Sequence, residues 1–220
     1  MDVGIVGDTH GFLNAWRTAY EAYLSKTDLI LHVGDILYCS PGFNPLTDEF
    51  KPGELADAIN TSDIPIIFCR GDNDSEVDQK KLKYPILSDF VYLYLDGLHI
   101  IMHHGEKPGK DWLFKSRLTP DEMEQYARKM KADIFIMGRT HIPVVQDRGG
   151  IYYLNPGSPV PTVHDNNRPS IAVLRTGSLL VEVWSMINIG ELLFSRQISL
   201  DKQRRRLMVN RGCVHPSHPR

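Results

Sequence analysis

The chain opens with a short apolar run, Val3-Gly4-Ile5-Val6-Gly7, that stops at the polar tetrad Asp8-Thr9-His10-Gly11, and an amphipathic stretch follows over residues 13–24. That order reads as strand, loop and helix. The same grammar recurs twice. Residues 29–33 run apolar into Gly34-Asp35, with a helical pattern at 54–59. Residues 64–69 run into Gly71-Asp72-Asn73-Asp74, with a polar helical pattern after it. In open α/β sheets ligands bind outside the carboxyl ends of strands, so the three Asp-bearing loops are predicted to gather on one rim.

The second half is richer in strands. Residues 90–95 and 98–103 flank Asp96-Gly97, a pair that supplies the positive φ values of a tight two-residue hairpin. Thr119-Pro120-Asp121-Glu122 combines a capping residue, a proline suited to the first helical position and a capping-box glutamate, and predicts a helix running to Lys131. An apolar run at 133–137 then ends at Gly138-Arg139-Thr140-His141. Segments 143–146, 151–154, 171–174, 179–187 and 192–200 alternate like antiparallel strands. Alternating α and β units followed by a β-rich half predict an α/β fold of two sheets packed face to face, with helices outside.

Composition narrows the setting. With 220 residues, 42% hydrophobic and 24% charged, the chain is long enough for one substantial core and fits no disordered, collagenous or disulfide-scaffold class. One domain is expected over residues 1–200. The three cysteines, Cys39, Cys69 and Cys213, have no CxxC spacing and leave an odd count, which points to a reducing compartment, the cytoplasm, and against a cysteine-rich zinc site. No apolar run approaches the roughly 18 residues of a membrane span, and no basic leader precedes Val3, so neither a membrane partner nor a signal peptide is expected. The net charge of −2 hides an asymmetry: residues 201–220 carry +5 and the remainder −7. An acidic body gains little from counterion release, so long nucleic acid is not an expected partner. The basic segment 201–220 reads as a flexible end with no assigned role.

The candidate chemistry lies just after the apolar runs, where Asp8, His10, Asp35, Asp72, His104 and His141 stand. Each alone is an ordinary helix cap or loop residue. Together they form a set of oxygen and nitrogen donors without thiolate, which suits manganese, iron, zinc or nickel at a hydrolytic site and excludes a structural zinc finger.

Asp8-x-His10, Gly34-Asp35, Gly71-Asp72-Asn73-Asp74, His104-Gly105 and Gly138-x-x-His141, in this order and strand context, resemble the calcineurin-like metallophosphoesterase family, and within it the small bacterial phosphodiesterases of the YfcE type. A Pro/Gly-rich insertion from Ser40-Pro41-Gly42 to Pro52-Gly53, the run Asp-Ser-Glu-Val-Asp-Gln at 74–79 and Asn155-Pro156-Gly157-Ser158 fit the same pattern. The resemblance spans residues 1–200. It implies a four-layer α/β/β/α sandwich of two mixed sheets and a metal-dependent phosphodiesterase in which a metal-bound hydroxide attacks a small phosphodiester. By resemblance, Asp8, His10 and His141 fall to a first metal, Asp35 bridges, and Asp72 and His104 fall to a second. Two close divalent ions clamp a phosphoryl group and activate water, and only a carboxylate can bridge them, since imidazole offers one lone pair. His103 competes with His104, but the family pattern puts the ligand directly before glycine, and strand alternation puts only one of the two on the site face. The implied cofactor is Mn2+, with Zn2+, Fe2+ or Ni2+ as alternatives, one or two ions per chain, in a homo-oligomer.

The departures from the pattern bear on the second site. Relatives carry Asn where this chain has Asp72, and Gly-His-x-His where it has Gly138-Arg139-Thr140-His141. A guanidinium stays protonated and ligates no metal. Either Arg139 pairs with Asp72 and its charge replaces the second ion, or Asp72 strengthens a site one ligand short and Arg139 turns outward to hold substrate phosphate. The first arrangement favours a rival function, an impaired scaffold like the retromer subunit that resembles the same phosphodiesterases. Asn73 stands where many relatives place a proton-donating His, and Asn delivers no proton, so diesters with good leaving groups are favoured. Glu106, in place of a second His after His-Gly, leans the same way by repelling a dianion more than a monoanion. Asn73 and Arg139 are thus the catalytic candidates. His32 and His99 read as wall residues, His164, His215 and His218 as solvated, Cys39 as a bystander near the cleft, Tyr152, Tyr153 and Trp184 as core or subunit-contact residues, and Asn155 and Ser158 as shapers of the rim.

Overall fold

A computed structural model of the chain describes residues 1–38, 47–107, 117–161 and 168–200. The first half supplies β1 (Asp2–Val6), α1 (Leu13–Ala22), β2 (Leu29–His32), α2 (Pro52–Asn60), β3 (Ile66–Phe68) and α3 (Glu76–Gln79). The hairpin β4 (Val91–Leu95) and β5 (Leu98–Met102) follows, then α4 (Pro120–Lys129), β6 (Ile134–Ile136), β7 (Val144–Arg148), β8 (Ile151–Asn155), β9 (Ser170–Arg175), β10 (Leu180–Ser185) and β11 (Leu192–Gln197). Cys39, His164, the first half of the Pro/Gly-rich insertion and the basic segment 201–220 lie outside the described residues.

Two mixed sheets result. One has the order β11-β10-β9-β1-β2-β3, with β1, β2 and β3 parallel; the other has the order β4-β5-β6-β8-β7, with β5, β6 and β8 parallel. The period-two pattern decides how they stack. In β1 and β2, Val3, Ile5, Leu29 and Leu31 face Leu98, Ile100, Ile134 and Ile136 of the other sheet in one shared core. The opposite faces hold Val6 and Ile30, which pack on Trp16 of α1 and Leu55 and Ile59 of α2. On the far side Ile101, Phe135 and Tyr153 pack on Ala127 of α4. The fold is therefore the α/β/β/α sandwich expected from the sequence.

Three local expectations need correction. The segments after residue 143 are not uniformly antiparallel: β7 folds back on β8, but β8 runs parallel to β6. Alternation reports which faces are buried, not which way a neighbour runs. The polar pattern after Asp74 forms only the single turn α3, because none of its residues is buried to hold a longer helix in place. Helix α4 stops at Lys129 rather than Lys131, since Lys131 takes the left-handed conformation (φ 54°) that closes helix C-termini. Its start is as expected, with Thr119 and Glu122 forming a reciprocal capping box and Pro120 in the first turn.

Candidate metal centre

The carboxyl ends of β1, β2 and β3 and those of β5, β6 and β8 meet at one rim, and the loops leaving them are laced together by their backbones. Asp8 N–H donates to Gly34 O (2.9 Å), His10 N–H to Asp35 O (3.0 Å) and Gly11 N–H to Ile36 O (2.9 Å), continuing the β1–β2 pairing past the strands. Gly34 has φ +89°, and a Cβ there would lie 2.4 Å from Gly71 N, so only glycine lets the second and third loops approach this closely.

The rim brings together all six residues of the ligand set inferred from sequence. His141 Nε2 lies 3.2 Å from Asp8 Oδ1 and 3.2 Å from His10 Nε2, and His10 Nε2 lies 3.8 Å from Asp8 Oδ1. His104 Nε2 is 3.3 Å from Asp35 Oδ2, 3.3 Å from Asp72 Oδ1 and 3.8 Å from Asp8 Oδ1. Asp35 stands between the two groups, with Oδ2 3.9 Å from His10 Nε2. The tightest triads are Asp8, His10, His141 and Asp8, Asp35, His104, so Asp8 reaches both groups and Asp72 sits at the margin of the second.

The donor set fits divalent metal. His10 Nδ1 contacts Tyr38 O at 2.9 Å and His104 Nδ1 contacts Val33 O at 2.6 Å. A carbonyl only accepts, so each Nδ1 carries the proton and each Nε2 is left to present its lone pair to the centre, the arrangement that orients metal-binding histidines. His104 Nε2 is buried and makes no well-formed hydrogen bond among the described residues. The electrostatics say the same. Burial opposes charge on His104, yet the Asp35 and Asp8 carboxylates outweigh it and hold its imidazole well above the usual range; His141 is raised in the same way, chiefly by Asp8. Burial would likewise raise Asp35, but His104 and then His10 hold its carboxyl below the usual range. These carboxylates draw positive charge toward the centre.

Arg139 sits on the second group. Its backbone N–H faces both Asp8 carboxylate oxygens at 3.2 and 3.1 Å, and its guanidinium Nη1 forms an ion pair with Asp72 Oδ2. Of the two arrangements left open by the sequence, the inward pair is the one present. Asn73 turns to Asp35, its side-chain amide donating to Oδ2 (2.6 Å) and its backbone N–H to Oδ1 (2.9 Å). Its contact is thus with a carboxylate of the centre.

Sequence reasoning passed over Asp74. Its buried carboxylate accepts from three backbone N–H groups, with Oδ2 taking Asp35 (2.9 Å) and Gly71 (2.7 Å) and Oδ1 taking Ile36 (2.8 Å). It thereby pins the Asp35 loop to the Asp72 loop. The only signal for it was a third polar residue after Gly71, inside a run whose ligand candidate was Asp72. Asn155 donates to Gly138 O (2.7 Å) and Ser158 to Asp8 O (2.8 Å), so both brace the rim as expected. His103 lies on the outer face against Phe90, ring centroids 4.1 Å apart, and Glu106 is buried. His32 is a wall residue, buried between Trp16 and Phe68, its imidazole pushed down to about 3 by burial.

Comparison with known proteins gives the family and the fold. The calcineurin-like phosphoesterase superfamily domain matches residues 1–178. Phosphodiesterase YfcE of Escherichia coli K12 is 28% identical over 193 residues, 83% of this chain and 97% of that protein. A probable metallophosphoesterase of Methanocaldococcus jannaschii is 28% identical over 163 residues, 72% of this chain and 68% of its own. Among solved structures, the E. coli phosphoesterase YfcE superposes with a TM-score of 0.72 at 26% identity, covering 90% of this chain and all 100% of that one. Vps29 of Entamoeba histolytica, complexed with Zn2+, superposes at 0.63 with 19% identity over 90% of this chain and 100% of its own, a likeness of fold.

Proposed function

Because the chain belongs to the calcineurin-like phosphoesterase superfamily, we propose that it is a metal-dependent phosphodiesterase of small phosphodiesters. Asp8, His10 and His141 would hold one divalent ion, Asp35 would bridge, and Asp72 and His104 would serve a second. The observation that carries this reading is the convergence of three imidazole Nε2 atoms on the carboxylates, two of those imidazoles locked through Nδ1 by backbone carbonyls. Divalent ions, Mn2+ in this reading, would supply Lewis acidity toward the phosphoryl group and lower the pKa of water.

The chain's own residues do the rest. Asn73 fixes the orientation of Asp35 through two hydrogen bonds. Arg139 brings a permanent positive charge beside the place where a phosphoryl group would gather negative charge. Asn73 carries no proton to give, so a substrate with a good leaving group suits the site. The reading puts the protein in the cytosol as a homo-oligomer; Cys69 is buried and free, and no helix among the described residues is long and apolar enough to cross a membrane. Hydrolysis of a chromogenic phosphodiester with added Mn2+ tests it. Turnover should depend on metal and be lost in Asp35→Asn, and the absence of any metal-dependent difference between the two proteins refutes it.

A second reading has its own observation, the Arg139–Asp72 ion pair. There the guanidinium takes the place of the second ion and the protein serves as an interaction subunit. Counting Mn2+ per chain separates the two. A wild-type count near two refutes the replacement, and a rise from one to two in the Arg139→His/Asp72→Asn variant supports it.

A further inference from the structure

On the outer face of the second sheet, a cavity of about 220 Å³ opens beside the candidate metal centre. Strand pairing explains how it forms. Gln146 of β7 lies opposite Tyr153 of β8, so the pleat places Val144, Gln146 and Arg148 on the face that Tyr153 occupies. Leu118 and Met123 close it from the start of α4, and Met137 closes it from the end of β6. Its lining is mostly apolar, with a polar group at one wall. Tyr153 is only 4% exposed and its hydroxyl has no hydrogen-bond partner among the described residues, while the Arg148 guanidinium carbon lies 5.9 Å from its ring centroid. Buried hydroxyls in folded proteins are almost always paired, so this one is a site where an incoming acceptor would be welcomed.

The cavity and the centre share a wall. Arg139 lines the cavity, and its backbone N–H reaches Asp8 while its guanidinium reaches Asp72. Gly105 and Gly138 complete that wall, and Gly138 leaves no room for a side chain, since a Cβ there would lie 2.9 Å from Asp8 Oδ2. A phosphoryl group at the centre therefore has an apolar recess directly past Arg139.

We propose that this cavity receives the organic arm of the phosphoryl substrate and selects a flat ring bearing a hydrogen-bond acceptor, which Tyr153 would engage. The inference rests on the phosphodiesterase reading and names the substrate class for it: phosphodiesters with an aromatic or heteroaromatic arm. Size limits the choice, because drug-sized ligands occupy roughly 300–1,000 Å³ and a recess below that range holds one small ring system. Chemistry limits it further. Thioethers, a phenol face and guanidinium planes favour flat polarisable rings, and a plain alkyl chain would leave the Tyr153 hydroxyl unpaired.

The test is calorimetric titration of the full chain, in Mn2+, with methylphosphonate, phenylphosphonate and 4-nitrophenylphosphonate. Phenylphosphonate should bind about ten- to a hundredfold more tightly than methylphosphonate, the range expected for burying one aromatic ring. Val144→Trp should fill the recess and abolish that preference while leaving methylphosphonate affinity unchanged, which also reports a folded protein. Gln146→Trp, at an exposed rim position, replaces it if Val144→Trp does not fold. Tyr153→Phe should remove an added preference of about fivefold for the nitro ring. Equal binding of the phenyl and methyl ligands, no binding of either, or a ring preference that survives both tryptophan variants overturns the proposal. None of these ligands is hydrolysed. A ring preference in a protein that fails the chromogenic assay would therefore remove the hydrolase reading and leave the cavity's selectivity standing.

Discussion

Replacing Asp74 by alanine should unlock the candidate metal centre without touching any of the six proposed ligands. The carboxylate accepts from Asp35 N, Gly71 N and Ile36 N at 2.9, 2.7 and 2.8 Å, and the residue is 2% exposed. Each backbone donor left unsatisfied costs about 1–3 kcal/mol, so about 3–9 kcal/mol is at stake if all three are orphaned. Water entering the vacated space offsets part of that, and a net loss of about 3–5 kcal/mol is expected. Urea unfolding in chelator, followed by the fluorescence of buried Trp16, measures it. A second variant, Asp74→Asn, adds a pH signature. Burial, and then the neighbouring Asp35 charge, raise the Asp74 carboxyl to about 7. A group raised in the folded state contributes stability that is full below its unfolded value, 3.8, and is lost as pH rises through the folded one. The stability gap between wild type and Asp74→Asn should therefore narrow between about pH 4 and pH 7, by on the order of 4 kcal/mol. An alanine variant within about 1 kcal/mol of wild type, or a gap that does not change with pH, refutes the reasoning.

Other substitutions probe other layers of the fold. Gly138→Ala would put a Cβ 2.9 Å from Asp8 Oδ2 and 3.0 Å from His104 Nδ1, and is expected to weaken Mn2+ binding at least about tenfold by titration. Thr119→Ala removes the cap of α4 and should cost about 1 kcal/mol in chemical denaturation. Its partner Glu122 is held down to about 2, first by the Thr119 backbone N–H, then by Lys107 and the Thr119 hydroxyl; the variant loses only the hydroxyl, whose contribution is present above 4.5 and lost as pH falls toward 2, so the difference between the two proteins should narrow in acid. Trp16→Ala empties the core between α1 and the first sheet, where the indole is 1% exposed, and should cost about 3–5 kcal/mol by thermal unfolding.

What could be read from the sequence was whatever a few adjacent residues determine. The Asp96-Gly97 hairpin is one case, since both residues have positive φ, 46° and 87°. The α4 capping box is another, and so is the set of loops after β1, β2 and β3, because an apolar run halted by Asp or His states both the strand and its end. What could not be read depends on contacts between distant segments. The return of β8 alongside β6 is decided by which edge is free, and no local pattern encodes that. The inward turn of Arg139 toward Asp72 depends on how two loops from different sheets approach each other. Asp74 stood out only as one more polar residue of its loop, and its partners sit on the loop after β2 as well as on its own.

Backbone conformation gives an argument about the centre that does not depend on resemblance. Among the described residues, eight other than glycine have positive φ, and five of them, Asp8, His10, Asp35, Arg139 and His141, are at this rim. Each such residue carries about 1–2 kcal/mol of strain that glycine would relieve. The chain does use glycine where it only needs to turn, as at Gly150 and Gly190, where a Cβ would meet nothing within 4 Å. Side chains kept in the left-handed region at one place point to a requirement for the side chains themselves. Asp and His tolerate that region better than most residues, which suits them as ligands placed just past a strand end. Arginine has no such tolerance, yet Arg139 sits at φ 66°, the largest value among the five. Had the position only lost a ligand, a glycine or asparagine would have relaxed the loop. The strain held at Arg139 is accounted for if its guanidinium is needed beside Asp72, where the residue also borders the neighbouring cavity.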